Sequence, residues 1–153
     1  VGAAGGGLWI KDGTTALTFT TVASNTASSG GYGIHLDGGT VQLRDTIMAY
    51  GGDGNCNTSL TSNGYNLQDD STCGLSGTGD ITTSDPQLGP LMESGGSLVH
   101  PLLTGSPAVD TGDCISGIDV DQRGTSRPQG DGCDIGAFEQ VPPVLLPLVL
   151  RGY

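Results

Sequence analysis

Two stretches near the start of this chain repeat one another at a spacing of about 26 residues, and that period constrains the fold most. Gly7 falls on Gly33, Ile10 on Leu36, Gly13 on Gly39, Thr14 on Thr40 and Leu17 on Leu43. Each unit reads as a short alternating strand, a Gly turn and a second alternating strand. A single unit cannot bury the apolar side of its strands. Stacked units can join those sides into one interior and pass backbone hydrogen bonds to the units above and below. The expected inward set is Leu8, Ile10, Leu17 and Phe19, then Ile34, Leu36, Val41, Leu43 and Ile47. The Thr, Lys, Asp, Gln and Arg residues between them face outward. A β-sandwich shares the alternation but needs no fixed period, so the chain is read as an all-β parallel solenoid.

A third, degenerate unit follows. Asn63-Gly-Tyr-Asn-Leu67 offers another turn and strand, and Ile81 is a later strand residue. From Asp85 onward the pattern dissolves into Pro-punctuated segments, as expected where a solenoid must close off its core. The expected organisation is therefore 1–84 as stacked coils, 85–139 as a loop-rich cap, and 140–153 as an apolar, Pro-rich tail.

Composition narrows the class. With 28 glycines and few helix formers, the chain cannot be a helical bundle. Its apolar residues fall in short periodic runs, which a disordered chain lacks. Five basic against 16 acidic residues give a net charge of -11. No basic stripe exists to neutralise phosphates, so nucleic acid and anionic membrane surfaces are excluded as partners. The acidity reads as solubility of an extracellular surface, with divalent cation binding as the other possibility.

Cys56, Cys73, Cys114 and Cys133 form no close C-x-x-C pair, which argues against a zinc ribbon. An even number in a Ser/Thr/Gly-rich chain points to an oxidising compartment. Three pairings are possible. Cys56–Cys73 and Cys114–Cys133 are favoured because each closes a local loop, contributing roughly 3 kcal/mol in the chain-entropy model. No basic and apolar leader is visible, and the sequence opens at Val1 within a strand-like segment. More chain is therefore expected to have preceded it.

Candidate chemistry divides into three kinds. A glycosidase needs two carboxylates facing one cleft. Asp69 and Asp70 are adjacent, so on a strand they point to opposite faces, and turn aspartates commonly bond local backbone. Asp119, Asp121 and Asp131, with Asp110 and Asp113 near in sequence, could supply oxygen ligands to a structural Ca²⁺, although no EF-hand-type loop is present. The competing reading pairs Arg123 and Arg127 with these carboxylates to organise the cap. A polysaccharide lyase would need a basic residue beside an acidic cluster; Lys11 and Arg44 read as ordinary outward-facing strand residues. His35 and His100 lack the partners of a nucleophilic triad. Trp9 reads as packing, and Asn57-Thr-Ser59 is a formal glycosylation sequon. No catalytic or cofactor-binding residue is assigned.

The tail segment Val144, Leu145, Leu146, Pro147, Leu148, Val149 and Leu150 is too short to span a bilayer, which needs about 20 apolar residues. Its prolines make it a poor helix and suit it to an edge position. Something must cover it: its own chain, or a neighbouring subunit to which it adds as a strand.

An ordered series of motifs resembles a known family. Asn63-Gly-Tyr-Asn-Leu, Cys73, Ser84-Asp-Pro-Gln-Leu-Gly-Pro-Leu91 and Gly95-Gly96 look like its opening half. Leu103, Ser106-Pro-Ala-Val-Asp-Thr-Gly-Asp113, Asp121-Gln-Arg-Gly124, Arg127-Pro-Gln-Gly130 and Cys133-Asp-Ile-Gly-Ala-Phe-Glu139 look like its closing half. Together they resemble the choice-of-anchor Q domain of bacterial secreted and surface β-helix proteins, over roughly residues 55 to 139. The resemblance implies a right-handed parallel β-helix, export, and attachment through a variable tail, with no catalytic site general to the family. The tail here departs from it, having neither a sortase motif nor a long anchor helix. The expected function is a non-catalytic extracellular structural protein, self-associating head to tail into filaments or attached to a cell surface. The alternative is a fragment of a carbohydrate-binding or polysaccharide-degrading β-helix enzyme.

Overall fold

The computed structural model describes residues 6–28 and 32–143, so Val1 and the tail run 144–150 lie outside the described residues. Among the described residues there are strands and turns but no helix. The first repeat holds three strands, β1 (Leu8–Ile10), β2 (Thr14–Thr18) and β3 (Thr21–Ala23). The second holds β4 (Ile34–Leu36), β5 (Thr40–Arg44) and β6 (Ile47–Ala49). Corresponding strands pair in parallel, with Leu8 on Ile34, Leu17 on Leu43 and Val22 on Met48. Each pair is 26 residues apart, so the sequence period is the hydrogen-bonding register.

The later units shrink. Strands β7 (Thr61–Ser62), β8 (Leu67–Gln68) and β9 (Ile81–Thr82) extend the two longer tracks to the orders β2-β5-β7 and β3-β6-β8-β9. Ser62 pairs with Leu43 and Leu67 with Ile47, steps of 19 and 20 residues; Ile81 pairs with Leu67, a step of 14. The stack is therefore wide at β1–β3 and narrow at β9.

A shared corner explains the regular stacking. Phe19, Asp45, Tyr65 and Gly79 occupy one position in successive units, just before the third strand, and all four are left-handed. Left-handed backbone is uncommon outside glycine, so four stacked instances mark a turn imposed by the tertiary fold. The next position carries Thr20, Thr46, Asn66 and Asp80. There the Thr46 N–H donates to Asn66 Oδ1 (3.0 Å) and the Asn66 N–H to Asp80 Oδ1 (2.8 Å). Side chains thus satisfy backbone donors that the ladder misses at the bend, as buried N–H groups require.

The corner also corrects the expected interior. Ile10, Val22, Ile34, Val41, Leu43, Met48, Leu60 and Leu75 form one buried cluster with Cys56 and Cys73, and Leu8, Leu17 and Leu36 pack against it. Ile47 is buried elsewhere, in a second cluster with Ala49, Leu67, Leu88, Leu102, Ala108 and Ile135. Phe19 lies under the Arg127 guanidinium. The left-handed residue shifts the in–out alternation by one position, so Val22 and Met48 take the interior places expected for Phe19 and Ile47.

The segment after Asp85 was expected to close an end. It lies instead against the side of the β3-β6-β8-β9 sheet, since its Leu88, Leu102, Ala108 and Ile135 bury Ile47, Ala49 and Leu67. It is also not wholly irregular. Strands β10 (Met92–Ser94) and β11 (Ser97–Val99) form an antiparallel hairpin around Gly95-Gly96, both left-handed, which is the two-residue turn such hairpins favour. Both disulfides join the favoured pairs, Cys56–Cys73 and Cys114–Cys133. No helix among the described residues is long and apolar enough to cross a membrane.

Candidate functional site

The most elaborate polar site is the joint between the C-terminal segment and the repeats. Its centre is the Arg127–Glu139 pair, 2.7 Å apart and almost wholly buried on both sides. Glu139 Oε2 also accepts from the Asp134 N–H, and Oε1 accepts from the Gln129 N–H. Arg127 Nη1 donates to the Asp134 carbonyl and Nη2 to the Gly136 carbonyl, while its guanidinium lies 4.4 Å from the Phe19 ring centroid. Burial lowers the Arg127 pKa, opposed by the Glu139, Asp121 and Asp134 carboxylates. A charged pair this deep persists only because nearly every lone pair and N–H is used.

Two more carboxylates surround it. Asp121 pairs with Arg123 at 2.6 Å and accepts from the N–H groups of Arg123, Thr125 and Glu139. Burial would raise its pKa, but these donors outweigh burial and hold it below the ordinary value. Asp134 accepts from the Asp110 and Gln140 N–H groups, yet burial dominates there and pushes it up to about 6.

The joint is fastened to the repeats through Arg44 and Asp45. Arg44 forms an ion pair with Asp113, and Asp45 Oδ1 accepts from the Asp113 N–H at 2.7 Å. Asp45 is fully buried, and burial raises its carboxyl to about 6 against the pull of the Asp113 N–H and the Arg44 guanidinium. Its Oδ2 and Arg44 Nε stand 3.6 Å apart, each without a hydrogen bond. Further ties run from the Gly136 N–H to the Asp45 carbonyl and from the Ala137 N–H to Thr21 Oγ1.

The sequence candidates fall into place unequally. Arg123 does take a nearby aspartate, but the partner of Arg127 is Glu139, which was not among the carboxylates considered. Arg44 is not an ordinary outward-facing residue, being committed to Asp113. Of the calcium candidates, Asp121 is enclosed by its donors, while Asp119 and Asp131 remain exposed. Among the described residues no three His, Cys, Asp or Glu side chains gather into a metal site. Asp69 accepts from the Tyr50 N–H and Asn55 Nδ2; Asp70 accepts from the Asn55 and Thr72 N–H groups. Both serve local structure, as turn aspartates commonly do. Asn57 is held by paired hydrogen bonds to the Leu36 backbone, and His100 Nδ1 lies 2.8 Å from the Gly89 carbonyl oxygen. Trp9 is not packed away: it is 51% exposed, with Lys11 Nζ 4.2 Å from its ring centroid.

Asp45, Asn55, Asn66, Asp134 and Glu139 were missed as structural centres. The one available signal was Asp45, an acidic residue aligned with Phe19 in the repeat. The joint's carboxylates and guanidiniums bond one another and nearby backbone groups, and no pocket is found among the described residues. It is a fastening. Comparison with known protein families, curated proteins and solved structures finds no match to this chain.

Proposed function

We propose that the chain is part of a right-handed parallel β-helix and serves as a non-catalytic, secreted structural protein. The observation that carries this reading is the pair of unlike ends. At one end, β1, β2 and β3 present outer edges with no strand paired to them among the described residues. Such edges are templates for further pairing, and their register calls for another unit of the same period. At the other end the step falls to 14 residues, and the Cys56–Cys73 bridge, Leu60 and Leu75 fill the narrowing interior.

A wide end and a narrow end do not match in size. Head-to-tail stacking, expected from the sequence, would have to join these unlike ends, so pairing at the wide edge is the favoured contact. The unit seated there comes either from the same protein or from one neighbouring subunit at a cell surface. Two disulfides favour an oxidising, extracellular setting. The motifs resembling the choice-of-anchor Q domain point to the same setting. The non-catalytic part rests on the acidic side chains, since those grouped in the joint are spent on backbone N–H groups and arginines.

Negative-stain electron microscopy at neutral pH across a wide concentration range tests the assembly. End-joined particles are expected, and monodisperse single chains at every concentration would contradict it. Incubation with polyuronates is expected to yield no unsaturated product; its accumulation would restore the lyase alternative.

A further inference from the structure

Of the asparagines in this chain, Asn63 alone is followed by glycine. A backbone nitrogen can attack the preceding side-chain amide where the next residue leaves it accessible, and glycine carries no Cβ to shield it. Asn25 and Asn57 precede Thr26 and Thr58, whose branched side chains crowd the nitrogen. Asn55 and Asn66 are buried, their Nδ2 atoms donating to the Met48 and Leu43 carbonyls. Asn63 is exposed, and its Nδ2 meets Gln42 Oε1 at 3.4 Å, longer than an ordinary N–H···O bond.

The main chain around Asn63 is held far more firmly than its side chain. The Asn63 N–H donates to the Leu43 carbonyl at 2.7 Å, and the Gly64 carbonyl accepts from the Asp45 N–H at 3.2 Å. Between them, the Gly64 N–H donates to Ser62 Oγ at 3.0 Å, which sets a proton acceptor on the attacking nitrogen. Gly64 is left-handed, and a Cβ there would stand 2.8 Å from the Thr78 carbonyl oxygen. The corner therefore demands glycine, and with it keeps a susceptible Asn-Gly pair at an exposed bend.

We infer that Asn63 is a site of spontaneous deamidation in the folded chain, and that one of its products loosens the corner at Asp45. The Gly64 nitrogen bonds to Asn63 Cγ and the Cγ–Nδ2 bond breaks; the Gly64 amide proton leaves with Nδ2 as ammonia. Water then opens the resulting succinimide at either carbonyl. One opening gives aspartate. The other gives isoaspartate, whose main chain runs through Cβ and Cγ and is longer by that methylene. The extra length falls between two anchored atoms, the Asn63 nitrogen and the Gly64 oxygen, so the Gly64 carbonyl is pushed off the Asp45 N–H. Asp45 ties the repeats to the Asp113 and Gly136 N–H groups, so a change at an exposed bend reaches the buried joint.

Ageing the disulfide-intact chain at mildly alkaline pH, followed by peptide mapping, tests the inference. The peptide holding residue 63 should exchange NH for O roughly tenfold faster than those holding Asn25 or Asn57, and should divide into aspartyl and isoaspartyl forms. Asn63→Gln, which would have to close a larger ring, should silence the reaction. In the purified isoaspartyl form the Asp45 amide should exchange with deuterium faster than in the unaltered chain. Asn63→Asp adds the charge without the methylene and should leave that amide protected. Conversion in the unfolded chain but not in the folded one would overturn the inference, because the fold would then shield the pair. Equal rates at Asn25 and Asn57, or an Asp45 amide indifferent to isoaspartate, would overturn it as well. Neither readout depends on pairing at the wide edge, so the assembly reading stands or falls separately.

Discussion

The repeats and the C-terminal segment solve the same problem with different groups. In the repeats, backbone N–H and C=O groups pair from one unit to the next, and aliphatic side chains fill the interior. In the C-terminal segment, ladders are confined to one short hairpin and isolated bridges, and charged side chains take over the backbone groups. Glu139 and Asp134 each accept two backbone N–H groups, Asp121 accepts three, and Arg127 donates to two carbonyls. Periodic chain can satisfy itself by stacking. Aperiodic chain needs buried polar side chains to do the same work, and its stability then depends on a few residues rather than many.

That contrast can be broken most sharply at Arg127. Arg127→Met leaves Glu139 buried and unpaired, a loss of about 3–5 kcal/mol. Chemical denaturation should register it, and hydrogen exchange should locate the loosening in 106–140 while β5 remains protected. Adding Glu139→Leu should recover much of the loss. Leu43→Ala attacks the other region, with an expected cost of about 2–5 kcal/mol for a fully buried leucine. Because Ile47 and Asp45 on the same stretch hold the C-terminal segment, this variant should loosen both regions together. A loss confined to the repeats would mean that the joint is independent of the interior.

Acid should sharpen the comparison further. Asp45 and Asp134, each raised to about 6, bind their protons more tightly folded than unfolded. Between about pH 4 and 6 the folded chain therefore holds the extra protons, and stability falls as pH rises through that window. The loss is complete above it, on the order of 2–3 kcal/mol for each group. Asp121, lowered in the folded chain, acts oppositely and loses its contribution as pH falls through its folded value. Denaturation midpoints should thus be higher near pH 5 than at pH 7, and Asp45→Asn should remove part of that slope. The smallest effect belongs to the surface: Trp9→Ala should change stability by less than about 0.5 kcal/mol.

The legible part of the fold was the periodic part. Leu17 over Leu43 and the left-handed Gly13 and Gly39 could be read because alternation and glycine turns have direct physical causes. Phe19 and Asp45 could not, since neither residue type announces a left-handed backbone, and the parity shift that follows sent Ile47 to the wrong core. The hairpin had a signal, Gly95-Gly96 between two apolar-containing triplets, hidden by the surrounding prolines. At the joint, Arg123 with Asp121 was readable from proximity in sequence. Arg127 with Glu139 was not, because which carboxylate becomes buried depends on how the aperiodic segment folds over the sheet.

Nuclear Overhauser contacts in solution test the stacked parallel register most directly. The account predicts interstrand contacts of the parallel type between Leu17 and Leu43 and between Val22 and Met48, continuing from Ile47 to Leu67 and from Leu67 to Ile81. Contacts running in the antiparallel sense between β2 and β5, or none at the 26-residue spacing, would contradict it.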